Sequence, residues 1–98
     1  ECDSVYAEAD NNYCRIVTGH GCYLYRSTLS ELAKSVKSDF FYRSHRSYLV
    51  NMNYVENYSR TEIVFENGER ALLTKTKHFD FQKKYMAFLK HGKRELTV

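Results

Sequence analysis

The feature that most constrains the fold of this chain is a series of short, strand-like segments separated by turn residues, without a single proline. The clearest turn is Asn67-Gly68, which stands between the strand-like segments 62–65 and 70–73. Asparagine and glycine tolerate the positive φ angles that a tight hairpin needs. The sequence therefore predicts an antiparallel hairpin at this point.

The same pattern of strands and turns predicts further antiparallel pairing earlier in the chain. Turn residues stand at Asn11-Asn12 and again at Gly19-His20-Gly21. Short strands at close spacing favour small antiparallel sheets. The predicted strands cover residues 5–9, 13–18, 22–26, 54–58, 62–65 and 70–73.

Two segments are predicted to be helical. Ser27-Thr28 followed by Glu31 is typical of a capping box, so we expect a short amphipathic helix over residues 28–37, ended by Ser38-Asp39. We expect Thr74 to cap a final helix. The apolar face of that helix is formed by Phe81, Tyr85, Phe88 and Leu89. The expected fold class is mainly β, a β-rich α+β domain with one short inserted helix and a C-terminal helix.

Composition bounds what kind of protein this is. Its 98 residues suit a single domain, and a charged fraction of 28% with 43% hydrophobic residues is typical of a soluble globular protein. No apolar run approaches the ~20 residues that span a bilayer, and no signal-peptide pattern opens the chain. Three cysteines, Cys2, Cys14 and Cys22, are an odd number, which excludes a complete disulfide framework and favours the cytoplasm.

Charge is distributed unevenly along the chain. Residues 1–69 carry seven Lys/Arg and ten Asp/Glu, whereas residues 70–98 carry eight Lys/Arg and two Asp/Glu. The net charges of these two segments are therefore −3 and +6. A basic end indicates an anionic partner, and equally it is typical of a solvated, lysine-rich helix. The basic tail, residues 91–98, either adds non-specific phosphate affinity or frays.

The segment FFYRSHRSYLVN, residues 40–51, carries a resemblance to a known family. With TLSELAKSV before it and YVENYS…IVFENGERALLTKTK after it, it closely resembles the LytTR family, the LytR/AlgR-type DNA-binding output domains of bacterial response regulators. Arg43, His45 and Arg46 fit the family's central motif, as do residues 47–51. Upstream, VYAEADNNYCRIVT resembles the family's first strand pair. The resemblance covers roughly residues 4–90.

The resemblance implies a fold and a function for the whole chain, 1–98, as one domain. It implies sequence-specific binding of double-stranded promoter DNA in a two-component transcription regulator, with loops rather than a recognition helix making the contacts. Two copies on repeated half-sites and a receiver domain in the full-length protein are further expectations, and no enzyme activity, cofactor, metal or membrane is expected. In two respects the chain departs from the family: it begins too late to contain the family's first strand, and Thr76 stands where relatives often present an arginine.

The candidate DNA contacts fall in three clusters near loops. Arg46 is the first choice for a base contact, because arginine bidentate to guanine is the commonest specific pairing. His45 is more often structural than a reader when it precedes an apolar run. The candidate contacts are Asn12, Cys14 and Arg15 in the first cluster, Arg43 and Arg46 in the second, and Lys75, Thr76 and Lys77 in the third.

Five of the eight candidates have a plainer interpretation that the sequence leaves open. Asn12 suits a turn alone, and Arg46 suits a surface salt bridge. Arg43 either anchors a phosphate or pairs internally with Glu8 or Glu31. Lys75 and Lys77 also suit a solvated helix start.

Other functions have weaker support in the sequence. Cys2, Cys14, His20 and Cys22 lack the close pairs of structural zinc sites, and nothing local indicates a cysteine hydrolase. A redox role for Cys14 rests on position alone. The main alternative is a protein-interaction or dimerisation module with the same fold and no specific DNA target.

Overall fold

The computed structural model describes residues 4–36 and 40–91. Within these ranges the chain forms eight strands, two α-helices and two short 3₁₀-helices, which confirms the expected mainly β class. The strands are β1 (Ser4–Asp10), β2 (Tyr13–Thr18), β3 (Gly21–Arg26), β4 (Phe41–His45), β5 (Tyr48–Asn51), β6 (Val55–Tyr58), β7 (Glu62–Phe65) and β8 (Arg70–Leu72). The α-helices are α1 (Leu29–Ser35) and α2 (His78–His91), and the 3₁₀-helices are Met52–Tyr54 and Lys75–Lys77.

The strands form two antiparallel sheets. The larger has five strands in the order β3-β2-β1-β5-β4, and the smaller has three in the order β6-β7-β8. The predicted Asn-Gly hairpin joins β7 to β8, with Gly68 at a φ of 90° and the Asn67 side chain accepting from the Glu69 N–H at 2.9 Å. The central pairing of β1 with β5 joins distant parts of the chain.

The two faces of the five-stranded sheet support different cores. One face packs against the smaller sheet and α2, where Tyr6 stacks on Phe65 at 5.2 Å between ring centroids and Phe81 is fully buried. On the opposite face, Leu29 of α1 packs with Cys14 and Leu49 in a smaller cluster. The sheet is thus held mainly from one side.

The helix starts were predicted with mixed success. The capping box is confirmed: the Glu31 N–H donates to Thr28 Oγ1 at 3.1 Å, and the Thr28 N–H donates to the Glu31 carboxylate at 3.2 Å. This helix ends at Ser35, and the predicted stop at Ser38-Asp39 lies outside the described residues. The prediction that Thr74 caps the final helix is wrong, because its side chain makes no capping bond and the Lys75–Lys77 3₁₀-helix intervenes before α2.

One residue of the predicted apolar face of α2 lies nearer the surface than expected. Leu89 is 39% exposed, whereas Phe81, Tyr85 and Phe88 are buried as predicted. In the part of the chain that the structure describes, no helix is long and apolar enough to cross a membrane.

Candidate nucleic-acid interface

The central motif of the sequence folds as a hairpin, with β4 and β5 joined by a turn at Arg46-Ser47. His45 fixes this turn, because its Nδ1 accepts a hydrogen bond from the Ser47 N–H at 3.0 Å. The ring also meets Tyr48 edge-on, at 6.0 Å between centroids. An accepting Nδ1 leaves the proton of the neutral ring on Nε2. These contacts favour the structural interpretation of His45.

Arg46 lies at the tip of this turn and is exposed. Among the described residues, its side chain takes part in no hydrogen bond or ion pair, so the salt-bridge alternative has no partner there. Its backbone carbonyl, in contrast, is occupied by Arg43. The turn therefore holds the backbone of Arg46 while leaving its guanidinium available.

Arg43 turns its guanidinium back onto the same hairpin. Its Nη2 donates to the carbonyl of Arg46 at 2.8 Å, its Nε donates to the carbonyl of His45 at 3.3 Å, and its Nη1 lies 3.5 Å from Ser30 Oγ. Of the two alternatives for Arg43, internal pairing with Glu8 or Glu31 does not form among these contacts. Glu8 binds Arg15, and Glu31 belongs to the capping box.

The Lys75–Lys77 segment lies directly beside the hairpin. Lys77 Nζ donates to the carbonyl of Arg43 at 2.8 Å, and the Thr74 N–H donates to the carbonyl of Ser44 at 2.8 Å. The buried Ser44 hydroxyl in turn donates to the carbonyl of Leu72 at 2.8 Å. Lys75 is exposed next to these bonds. The second and third predicted clusters are therefore neighbours.

The turn between β1 and β2 lies at the same end of the five-stranded sheet as the β4–β5 turn. Glu8 pairs with Tyr48 in the antiparallel register, and the Ala9 N–H donates to the carbonyl of Ser47 at 2.9 Å. Asn11 takes the left-handed conformation, with φ of 58°, so it bears the conformational demand of the turn. Asn12 is exposed beside it.

Arg15 is further into the sheet and is already engaged. Its guanidinium donates to Glu8 Oε1 at 3.0 Å and to the Tyr6 hydroxyl at 3.3 Å. Bonding to Glu8 raises the pKa of Arg15 above its ordinary value and so favours the charged form. Tyr48 also donates to Glu8, at 3.2 Å, and Tyr6 donates to Glu69, at 3.2 Å. We call these five residues the Glu8 network.

Cys14 has no exposed surface, unlike the other predicted contacts. Its thiol donates to the carbonyl of Ser27 at 3.4 Å, and burial raises the pKa of that thiol. A side chain enclosed in this way has no surface with which to touch DNA. Cys22 is exposed and is paired in register with Val17, which lies on the face of the sheet opposite to that of Cys14. The two cysteines therefore lie on different faces of the sheet. Cys2 lies outside the described residues.

The structure thus brings most of the predicted residues to one end of the larger sheet. Asn12, Arg46, Lys75 and Thr76 are exposed there, while Arg43 and Lys77 make internal bonds between them. Sequence reasoning missed Arg26, an exposed arginine that ends β3 opposite Tyr13 at the same end. The register of the β2–β3 hairpin is the signal that locates it.

Two antiparallel sheets, with exposed cationic side chains near one end of the larger sheet, define a small β-rich domain. A family model described as the LytTr DNA-binding domain matches residues 2–86. The chain therefore belongs to the LytTr DNA-binding domain family, and it is a DNA-binding domain of a kind that serves in transcription regulation.

One curated protein and one solved structure that are similar to this chain are consistent with its membership of this family. The CO-responsive transcriptional regulator RcoM of Rhodospirillum rubrum is 36% identical over 73 residues, which is 70% of this chain and 31% of that protein. The chain thus spans about a third of the length of this relative. A solved LytTr DNA-binding domain from Bacillus cereus superposes with a TM-score of 0.75 at 24% identity, covering 85% of this chain and 81% of that one, so the two share a fold.

Proposed function

We propose that this domain binds a specific sequence of double-stranded promoter DNA, as the output domain of a bacterial two-component transcription regulator. The observation that carries the proposal is Arg46, an exposed guanidinium at the tip of a braced turn with no side-chain partner among the described residues. A free, well-positioned guanidinium matches the two acceptors of guanine in the major groove. We assign Arg46 the base-reading role.

The exposed neighbours of Arg46 supply the remaining contacts in this proposal. Asn12 offers an amide for a base edge or a phosphate, and Lys75 offers a charge for a phosphate. Thr76 stands where relatives often present an arginine, so it suits a phosphate or a thymine methyl rather than guanine. Cys14 is left out because it is enclosed.

DNA contacts through turns are supported by the two helices, both of which are already engaged within the protein. α2 buries Phe81, Tyr85 and Phe88 in the larger core, and its exposed lysines are suited to phosphates rather than to base edges. α1 has only seven residues, and its first turn is occupied by the capping box. Neither helix therefore offers the free polar face that a recognition helix places in the major groove.

Two further parts of the proposal concern assembly. We propose that two copies bind repeated half-sites, and that a receiver domain controls them in the full-length protein. The alternative is a protein-interaction or dimerisation module with this fold and no specific DNA target. That alternative requires no preferred DNA sequence and no strong dependence on salt.

The decisive experiment selects bound sequences from a random double-stranded library and then titrates salt on the enriched sequence. We expect enrichment of a repeated motif, and log affinity that falls with log salt by about 0.9 for each phosphate neutralised. Recovery of no motif, with affinity that is flat in salt, would establish the interaction module instead. Gel shifts with one and two half-sites measure the copy number.

A further inference from the structure

We propose that Arg43 and Lys77 are positioning residues that determine sequence preference without contacting DNA. They fix the β4–β5 turn against the Lys75–Lys77 segment, so that Arg46 and Lys75 meet the duplex at a fixed spacing. This inference rests on the proposed function, because it assigns these two cations to the shape of the surface rather than to its contacts. We call the pair, with its hydrogen bonds, the brace.

The geometry of Arg43 requires the guanidinium fork rather than a charge alone. One nitrogen binds the carbonyl of Arg46 at 2.8 Å and another binds that of His45 at 3.3 Å, so a single planar group closes the hairpin turn. A lysine carries the same charge on one compact ammonium and does not reproduce this two-point contact. Charge and geometry can therefore be separated by experiment.

Lys77 extends the brace to the second contact segment. Its ammonium donates to the carbonyl of Arg43 at 2.8 Å, and one residue further along β4 the carbonyl of Ser44 accepts from the Thr74 N–H at 2.8 Å. The Lys75–Lys77 segment is thus bonded to β4 at its last residue, Lys77, and through Thr74, the residue before its first. A shift of the turn would carry this segment with it.

Both residues are therefore poor phosphate ligands in this conformation. The Lys77 side chain is partly buried and directed at a backbone carbonyl, and Arg43 directs at least two of its donors inward. Arg46 and Lys75, immediately beside them, are exposed. Neighbouring cations in this surface have different tasks.

The first test uses the protein without DNA. Amide hydrogen exchange at Ser47 and Thr74 reports on the turn and on its link to β4, because both N–H groups bond within the braced region. We expect Arg43→Lys and Lys77→Met each to accelerate exchange there by about two- to tenfold relative to wild type. Unchanged exchange in both variants overturns the brace, whatever the protein does with DNA.

The second test measures binding of Arg43→Lys and Arg43→Gln to the selected sequence and to single-base changes of it. We expect Arg43→Lys and Arg43→Gln alike to reduce discrimination by about tenfold, with the salt slope kept at the wild-type value. If Arg43 instead contacts a phosphate, Arg43→Lys will behave as wild type and Arg43→Gln will lose about 0.9 from the slope. That second pattern overturns the inference.

Lys34→Gln is the matched control, since it removes one exposed charge on α1 whose side chain takes part in no hydrogen bond or ion pair among the described residues. It should leave exchange at Ser47 and Thr74 unchanged. A wild-type domain without any preferred sequence would refute the proposed function, whereas the exchange measurement would still decide the brace.

Discussion

Arg46 and Arg15 are both predicted contacts, yet their surroundings differ. Arg46 stands on a turn whose backbone is braced and whose guanidinium is free among the described residues, while Arg15 is bonded to Glu8 and Tyr6 within the sheet. Arg46 is exposed and Arg15 is partly exposed, so solvent reaches both guanidinium groups. What distinguishes them is whether a partner within the protein already satisfies the charge. The count of cations along a sequence therefore overstates the number that DNA can recruit.

The largest expected effect comes from removing the Arg46 side chain. Arg46→Ala should reduce discrimination between the selected sequence and a single-base change by about 1–3 kcal/mol, because the guanidinium reads a base. It should change the free energy of unfolding by no more than about 0.5 kcal/mol, since the exposed Arg46 side chain takes part in no hydrogen bond or ion pair among the described residues. Competition gel shifts and urea unfolding measure the two quantities.

Arg15→Ala should give the opposite result and serves as the control. It removes an ion pair and a tyrosine hydrogen bond, so we expect a loss of up to about 1 kcal/mol in stability with discrimination retained. Equal loss of discrimination in both variants would show that the ion pair opens on DNA, and the distinction between the two arginines would then be lost.

Local signals in the sequence located most elements of the fold. The Asn67-Gly68 hairpin and the Thr28–Glu31 capping box each depend on residues within a few positions of one another, and both form as predicted. Thr74 instead precedes the Lys75–Lys77 3₁₀-helix, its side chain makes no capping bond, and its own N–H donates to the carbonyl of Ser44 in β4, a distant strand. Signals between near neighbours in sequence were readable, whereas this contact with a distant strand was not.

The candidate surface was less predictable for the same reason. The motif around Arg43 and Arg46 marks both residues as cations, but only the folded turn shows that one binds the backbone carbonyl of the other. Cys14 was placed among the contacts by its position in sequence, and strand alternation instead directs it to the core beneath α1. Which face a strand residue occupies depends on pairings that a single sequence leaves open.

A smaller effect is expected from Glu8→Gln, which tests whether the carboxylate is what keeps Arg15 in place. Glutamine can still accept from Arg15 and Tyr48, but it lacks the charge that favours the guanidinium. We expect destabilisation of up to about 1 kcal/mol in low salt, diminishing as salt is added, because the pair is partly exposed.

Glu8→Gln should also change how the affinity for DNA depends on salt. Loss of the carboxylate charge weakens the binding of Arg15 within the protein and makes this cation more available to the duplex, so the salt slope should steepen by up to about 0.9. Glu62→Gln is the control, because it breaks the Arg70–Glu62 pair of the smaller sheet in the same way. A slope that steepens equally in the control would attribute the change to net charge rather than to Arg15.

The smallest expected effect is a pH dependence of stability, which involves the Glu8 network and not the β4–β5 turn. Burial, with the negative charge of Glu69 adding to it, raises the pKa of Tyr6 to about 12. Below its ordinary pKa of about 10 the phenol is protonated in both folded and unfolded states, so its contribution to stability is complete. Between about 10 and 12 the unfolded chain loses the proton first, and stability falls as pH rises.

Tyr6→Phe should therefore flatten the decline of the urea midpoint above about pH 10 without removing it, because burial also raises the pKa of Tyr42. Arg46→Ala should leave the decline unchanged, since the turn has no part in the Glu8 network. A decline of the same steepness in Tyr6→Phe and wild type would mean that folding does not raise the pKa of Tyr6. In that case the Glu8 network would differ from the turn by its hydrogen bonds alone, and not by the proton that it holds on Tyr6.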